Sequence, residues 1–171
     1  MATDSNYQYY VEGEDEKKFL EVLRTDLQVI QPGKIQVFNV ASKFITKTRL
    51  LALKQGTTVV LVFDTDEVNE AILQQNIALI ASMPNVSEVL TVLQVRNLED
   101  ELVRSCNIKK VEELVNARNK GEFKSRFINI SNLAVVLKKN GFDPKKLWRK
   151  EADNLKKRVP NCGNKVIHIS S

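Results

Sequence analysis

The chain has 171 residues, of which 43% are hydrophobic and 27% charged, and its formal net charge at pH 7 is +5. This balance is typical of one folded domain of ordinary size, with or without an appendage. One histidine, His168, and two cysteines without metal-ligand spacing argue against a histidine-based zinc site and a serine–histidine–aspartate triad.

The sequence predicts a cytoplasmic protein with no membrane partner. The longest apolar run, Val59 to Phe63, is far too short to span a bilayer. The first six residues have neither the basic region nor the apolar segment of a signal peptide. Cys106 and Cys162 are then expected to be reduced thiols.

Charge is divided unevenly along the chain. Residues 1–105 carry 10 basic and 15 acidic side chains, whereas residues 106–171 carry 16 and 6. The first part is therefore acidic and the second strongly basic, as expected of a metal-using enzyme that acts on a polyanion. The alternative is that the basic part is only a solvated helical surface.

The first part of the chain alternates between strand and helix patterns. Its helices are predicted from amphipathic spacing and its strands from β-branched and apolar runs, with 57–63 as a central strand buried on both faces. The predicted strands are 7–11, 35–40, 57–63 and 89–95, and the predicted helices are 14–24, 42–54 and 67–81. Ser42 is the expected cap of the second helix. This order predicts an α/β fold with a mostly parallel four-stranded sheet flanked by helices.

After residue 105 the pattern changes to short helical stretches. They are predicted at 111–117, 122–127, 133–139 and 144–157, and residues 166–169 form either a short strand or a tail. Asp143 and Pro144 are a good start for the last helix. We therefore divide the chain into an α/β catalytic domain, residues 1–105, and a basic helical extension, residues 106–171.

Three carboxylates follow predicted strands. Glu12 stands after the first strand, next to Gly13, and Asp64 and Asp66 follow the third strand. In an open parallel sheet the carboxyl ends of the strands line the binding crevice. Oxygen ligands of this kind suit a hard cation such as Mg²⁺. The alternative is that these acids only cap helices or complement helix dipoles.

The residues Tyr10 to Leu20 (YVEGEDEKKFL) and Leu61 to Asp66 (LVFDTD) resemble the two acidic motifs of Toprim domains. The resemblance covers about residues 7–105. It implies a Toprim-like parallel sheet and a site for Mg²⁺ (or Mn²⁺) that serves phosphodiester chemistry. The short chain resembles the stand-alone nuclease-type members, such as the OLD-family nucleases and ribosomal RNA maturases, more than the topoisomerases.

The resemblance also assigns roles to individual residues. Glu12, Asp64 and Asp66 would hold the metal, and Glu12 is also a candidate general acid or base. Lys43 lies where small members have a basic residue that can touch a phosphate. Glu16, Glu99 and Glu101 are additional candidate carboxylates. The chain departs from the family pattern at Glu16, where Asp is common, and at Asn69, where Gly is common.

The basic residues of the second part form the predicted nucleic-acid surface. On the helix predicted from Pro144, several of them would share one face. They are Lys138, Lys139, Lys145, Lys146, Arg149 and Lys150. Trp148 lies among them and would either stack on a base or anchor the core.

Three functions remain open from the sequence. The first is a metal-dependent nuclease that acts on RNA or DNA, as a homodimer or as part of a larger complex in phage defence or RNA processing. The second is a non-catalytic module that binds nucleic acid or a partner protein. The third is a phosphatase of the haloacid dehalogenase type, because Asp64 to Val68 fits its nucleophile motif, although that motif usually follows the first strand. A receiver domain is a more distant alternative.

Overall fold

The computed structural model describes residues 6–155 and 159–169. The chain has an α/β fold with one four-stranded sheet, and all strand pairs in it are parallel. The strands are β1 (Tyr7–Val11), β2 (Gly33–Val37), β3 (Thr57–Asp64) and β4 (Val86–Gln94). They lie in the order β2-β1-β3-β4. The predicted parallel α/β sheet is thus confirmed.

The first three α-helices connect the strands, and the remaining helices come after β4 in the chain. The α-helices are α1 (Glu14–Glu21), α2 (Lys47–Leu51), α3 (Glu70–Ser82), α4 (Leu98–Ser105), α5 (Lys120–Asn129), α6 (Leu133–Lys139) and α7 (Gly163–Val166). A π-helical turn, Val22–Asp26, extends α1, and two 3₁₀ turns lie at Val111–Leu114 and Pro144–Lys146. The longest of these, α3, has 13 residues, and no helix in the described ranges is long and apolar enough to cross a membrane.

The sheet is covered on both faces, which explains why β1 and β3 are so apolar. One face packs against α1, α4, α5 and α6, which contribute large apolar side chains such as Phe19, Leu102 and Phe127. The other face packs against α2, α3 and the side chains of Ala152, Leu155 and Val159. Residues beyond 105 therefore belong to the same hydrophobic clusters as the strands.

The start of α2 differs from the prediction. The predicted helix 42–54 is reduced to five residues, because the chain from Phe38 to Ile45 forms a loop instead. Asn76 holds this loop: its side chain accepts from Ile45 N and donates to the carbonyl oxygens of Val40 and Lys43. Thr46, rather than Ser42, caps the helix by accepting from Arg49 N.

The predicted helix 144–157 is wrong over its described part. Only the 3₁₀ turn Pro144–Lys146 forms, and residues 156–158 lie outside the described residues. Leu147 and Trp148 are instead buried in the core, and Trp148 has a φ of 55°. Its backbone N–H donates to Oε2 of the buried Glu101 over 3.0 Å. Tertiary packing therefore overrides the helical pattern, and the shared basic face of that helix does not exist.

Trp148 is a core anchor and does not stack on a base. Its side chain is 1% exposed. Gly163, at the start of α7, lies against it: a Cβ at residue 163 would be 2.5 Å from Trp148 Cβ and 2.7 Å from its carbonyl oxygen. The end of the chain then closes against the core through a bridge between Ile30 and Ile167.

We expect Gly163→Ala to destabilise the protein by about 1–3 kcal/mol, because the added methyl group must displace Trp148. Gly121→Ala is the matched control: the nearest atom to its Cβ is Asn119 Oδ1 at 3.4 Å, and Ala favours the helix by up to about 1 kcal/mol. Urea unfolding measures the free energy of unfolding of both variants. Equal free energies of unfolding for Gly163→Ala and wild type would contradict this packing.

Candidate metal centre

The strand order places the first two acidic motifs side by side. β1 lies between β2 and β3, so the chain leaves β1 towards one edge of the sheet and leaves β3 towards the other. The crevice between two such strands, at their carboxyl ends, is the usual ligand site of an open parallel sheet. Glu12 follows β1 directly and Asp64 is the last residue of β3. The topology therefore brings these two residues to this crevice.

Glu12 points towards β3. Its Oε2 accepts a hydrogen bond from Asp64 N over 2.9 Å, although the two residues are 52 positions apart. Burial raises the pKa of Glu12, the hydrogen bond from Asp64 N opposes this, and the charge of Asp66 adds to the rise. Of the three carboxylates expected to converge, Glu12 and Asp64 are therefore direct neighbours.

Asp64 is the most strongly perturbed acid of this pair. Burial, and then the charge of Glu12, raise its pKa to about 8, against the effect of a hydrogen bond from Gln94. Gln94 Nε2 donates to Asp64 Oδ1 over 2.8 Å from the paired position on β4. The buried Gln94 Oε1 has no hydrogen-bond partner among the described residues. One oxygen of Asp64 is therefore held by the sheet.

Asp66 lies farther out, on the loop after β3. The backbone N–H groups of Thr65 and Asp66 both donate to Arg96 O, which ties this loop to the end of β4. Asp66 is exposed, and its Oδ2 accepts from Asn97 Nδ2 over 3.3 Å. In the described parts of the chain, no three His, Cys, Asp or Glu side chains are arranged to hold a metal ion. Asp66 would have to turn away from Asn97 to join Glu12 and Asp64.

Two more acids of the same crevice come from the first turn of α1. Asp15 and Glu16 are buried, and one carboxylate oxygen of each lies 3.1 Å from where a Gly13 Cβ would be. Burial, then a hydrogen bond with Asp15 and the charge of Asp15, raise the pKa of Glu16.

Lys124 supplies a positive charge that the sequence analysis did not single out. Its Nζ lies 3.9 Å from Asp15 Oδ2 and 3.9 Å from Glu99 Oε1. Burial lowers its pKa, but the charges of Asp15 and Glu99 outweigh this and raise it overall. Lys124 is on α5, which packs against α1. No local signal in the sequence distinguishes Lys124 from the other lysines of the basic part, because only packing brings α5 here.

We call these acids the carboxylate cluster: Glu12, Asp15, Glu16, Asp64, Asp66 and Glu99. The sequence analysis named five of them, but it missed their polar neighbours Gln94 and Asn97. The available signal for Gln94 was its position, as a polar residue at the end of the apolar strand β4. Asn97 was visible only as a helix cap, and it does cap α4 by accepting from Asp100 N.

Glu101 lies outside the cluster and has a structural role. It is fully buried, its Oε1 accepts from Val95 N and Arg104, and its Oε2 accepts from Trp148 N. Arg104 also donates to Val95 O. Both carboxylate oxygens of Glu101 are therefore used in joining β4, α4 and the C-terminal part.

Lys43 is at the same edge of the sheet, on the loop after β2, with an exposed side chain. Among the described residues it forms no hydrogen bond or ion pair with the carboxylate cluster. Only its carbonyl oxygen is held, by Asn76 Nδ2. Its contact with a phosphate stays a prediction.

The six predicted nucleic-acid-binding residues are all exposed: Lys138, Lys139, Lys145, Lys146, Arg149 and Lys150. Lys138 and Lys139 end α6 next to the C-terminal end of α4, where Asn107 N donates to Asn140 O. Glu99 is at the opposite end of α4. Lys138 and Lys139 thus lie near the end of α4 that is opposite Glu99, and within the described ranges only Lys124 forms an ion pair with the cluster.

The donor chemistry of the cluster fits a hard divalent cation. Glu12, Asp64 and Asp66 offer oxygen only, and Gln94 Oε1 is a further buried oxygen without a partner. The acids at the crevice raise one another's pKa, so a positive charge placed among them would be stabilised. The ligand atoms of these residues are therefore of the type that Mg²⁺ and Mn²⁺ prefer.

We expect the thermal stability of the metal-free protein to fall as the pH rises from about 4 to about 8. The pKa of Asp64 is about 8 in the folded protein and about 3.9 when unfolded, so the folded state retains a proton that the unfolded state releases. That contribution is complete below pH 4 and is lost towards pH 8. Asp64→Asn should flatten this fall in melting temperature, measured in EDTA. The same pH slope in both proteins would contradict the raised pKa.

The chain was compared with known proteins by family, by sequence and by structure. No protein-family model, no curated protein and no solved structure matches it. The features of this chain that bear on function are therefore the carboxylate cluster and its neighbours.

Proposed function

We propose that this chain is a metal-dependent nuclease that hydrolyses phosphodiester bonds in RNA or DNA with Mg²⁺ or Mn²⁺. The observation that carries the proposal is the contact between Glu12 and Asp64 across the carboxyl ends of β1 and β3. The two acidic motifs that resemble those of Toprim domains meet at the position where parallel sheets bind their ligands. Burial and, after it, the charge of Glu12 raise the pKa of Asp64, and a perturbed acid in a crevice is a candidate functional group.

Each residue of the site has its own role in the proposed hydrolysis. Glu12 and Asp64 would hold the ion, with Asp66 as the third carboxylate ligand. When bound, a divalent ion supplies Lewis-acid activation of the phosphate and stabilises negative charge on its oxygens. Glu12, partly buried and with a raised pKa, suits proton transfer to or from the reacting oxygen. Lys43, exposed at the same edge, is the candidate contact for a neighbouring phosphate.

Nucleic acid is the proposed partner because of charge. The chain carries a formal net charge of +5 in spite of its acidic crevice. Lys145, Lys146, Arg149 and Lys150 are exposed and are available to neutralise phosphates. The proposal also includes a cytoplasmic location. It further includes assembly into a homodimer or into a larger complex that acts in phage defence or RNA processing.

A second candidate function is a non-catalytic module that binds nucleic acid or a partner protein. It is favoured by one observation: Glu12, Asp64 and Asp66 each already accept a hydrogen bond from the protein. Such bonds hold the crevice together without a metal ion. The two functions differ in whether bound nucleic acid is cut.

We expect Glu12→Gln, Asp64→Asn and Asp66→Asn each to reduce cleavage by about 100-fold or more, since each removes a charge that the ion needs. The measurement is cleavage of total RNA, tRNA, and single- and double-stranded DNA in Mg²⁺ or Mn²⁺. Asp26→Asn is the matched control, because Asp26 is an exposed acid at the end of the π-helical turn.

Two results would decide against the nuclease. Unchanged cleavage in all three variants would place the activity elsewhere. Binding of nucleic acid by the wild type without any cleavage in either metal would support the binding module instead. Circular dichroism of each variant confirms that loss of cleavage is not loss of the fold.

We also expect Mg²⁺ to raise the melting temperature more at pH 8.5 than at pH 6. The proton on Asp64 competes with the ion, and its pKa of about 8 places this competition in that range. A metal that binds only the folded state at 100 times its Kd adds about 2.7 kcal/mol to the free energy of unfolding. Differential scanning fluorimetry at both pH values measures the shift in melting temperature on addition of Mg²⁺. Asp64→Asn is the variant in which this shift should no longer depend on pH. Equal shifts at both pH values in the wild type would argue against Asp64 as a ligand.

A further inference from the structure

One segment within the acidic part of the chain contains no acidic residue. Residues 27–63 have neither Asp nor Glu, and all of their basic side chains are exposed. These basic residues are Lys34, Lys43, Lys47, Arg49 and Lys54. Three of them lie on the loop of residues 38–45 and on the helix α2 that follows it. This segment therefore offers positive charge to a polyanion.

The loop of residues 38–45 lies against the segment that carries Asp66. The loop follows β2, so it leaves the sheet at the same end as Glu12 and Asp64. Ala41 O accepts a hydrogen bond from Asn69 N over 2.9 Å, and Asn69 follows Asp66 closely in the chain. Nucleic acid bound to this loop would therefore lie at the same edge of the sheet as the carboxylate cluster.

Phe44 is the exposed aromatic residue of this loop. It is 57% exposed, and it belongs to neither hydrophobic cluster of the described residues. Every other aromatic residue in the described ranges is buried or half-buried. The Phe44 ring therefore has an open surface on which another flat ring can pack.

The backbone on both sides of Phe44 is fixed by one side chain. Asn76 of α3, which is 1% exposed, accepts from Ile45 N over 2.9 Å and donates to Lys43 O over 2.7 Å. Ile45 is itself buried in the core. Phe44 is therefore presented by a loop that is already ordered, which reduces the entropy that is lost when a ligand binds.

We propose that Phe44 stacks on an unpaired base of single-stranded nucleic acid, while Lys43 and Lys47 contact the neighbouring phosphates. This inference rests on the proposed function for the kind of ligand, and it adds that the substrate is single-stranded at this loop. The bases of a duplex are paired and stacked on one another, so one of them would first have to be unstacked. Stacking on an aromatic ring tolerates any sequence, because every base has a flat face.

The test is binding of fluorescently labelled oligonucleotides to the full chain in EDTA, measured by anisotropy at one salt concentration. The probes are single strands of thymidine or uridine nucleotides and a DNA duplex of the same length. Phe44→Ala should weaken single-strand binding about tenfold, the effect of one stacked base, and change duplex binding less than about twofold. Lys47→Gln should instead weaken both by a similar factor, because it removes a phosphate contact.

Leu51→Ala is the matched control, because Leu51 is an apolar residue of α2 that is 61% exposed. It loses apolar surface but no ring, so it should bind as the wild type does. A single strand with abasic sites supplies the charge without the bases. The wild type should bind this strand about tenfold more weakly than the intact strand, and Phe44→Ala should bind the two alike.

Phe44→Trp adds a spectroscopic measurement. The chain has one tryptophan, Trp148, and its side chain is buried. Addition of a single strand should quench the fluorescence of Phe44→Trp and leave that of the wild type nearly unchanged. Since Phe44 is exposed, its variants should keep the wild-type melting temperature.

Equal single-strand affinities of the wild type and Phe44→Ala would overturn the stacking. So would an equal loss of single-strand and duplex binding in Phe44→Ala, or a loss in Leu51→Ala as large as that in Phe44→Ala. Failure of the wild type to bind any single strand would overturn it as well. The nuclease proposal is decided separately, by cleavage in Mg²⁺ or Mn²⁺. A chain that binds single strands through Phe44 but cuts nothing would support this inference and refute the nuclease.

Discussion

The position of β1 between β2 and β3 is the constraint on which the rest of the structure depends. β1 is apolar on both faces, with Tyr9 and Val11 in one hydrophobic cluster and Tyr10 in the other, so it is stable only inside the sheet. Its parallel pairing with β3 brings Glu12 beside Asp64 at one end. The same pairing, together with β2, brings Tyr10 and Gln36 together under α2. The acidic crevice follows from this one arrangement.

Electrostatics distinguish the two ends of the sheet. At the carboxyl end, acids from β1, α1, β3 and α4 are close enough to raise one another's pKa, and Lys124 from α5 compensates only part of their charge. At the amino end, Lys34, Arg49 and Lys54 line a cavity without an acid among its described lining residues. The two regions therefore carry side-chain charges of opposite sign.

The C-terminal part of the chain completes the acidic end as well as the core. Phe123 and Phe127 pack in the cluster that also holds α1, and this packing places Lys124 against Asp15 and Glu99. Glu101 fixes the neighbouring elements, since it accepts hydrogen bonds from β4 and from the segment that contains Trp148. A candidate additional carboxylate, Glu101, thus serves the fold, while Lys124, a lysine outside every motif, reaches the crevice.

The sequence by itself determined the four strands and their parallel arrangement, and it placed Glu12 and Asp64 at strand ends, because periodicity and apolar runs are local and the ends of parallel strands share an edge. The tertiary structure decided the rest. Trp148 is drawn into the core by burial and by the bond from its N–H to Glu101, which ends a helix that local propensity favours. The length of α2, the position of Lys124 and the cavity beside Tyr10 depend on contacts between residues far apart in the chain. Local pattern contains no information about such contacts, so only the folded chain defines them.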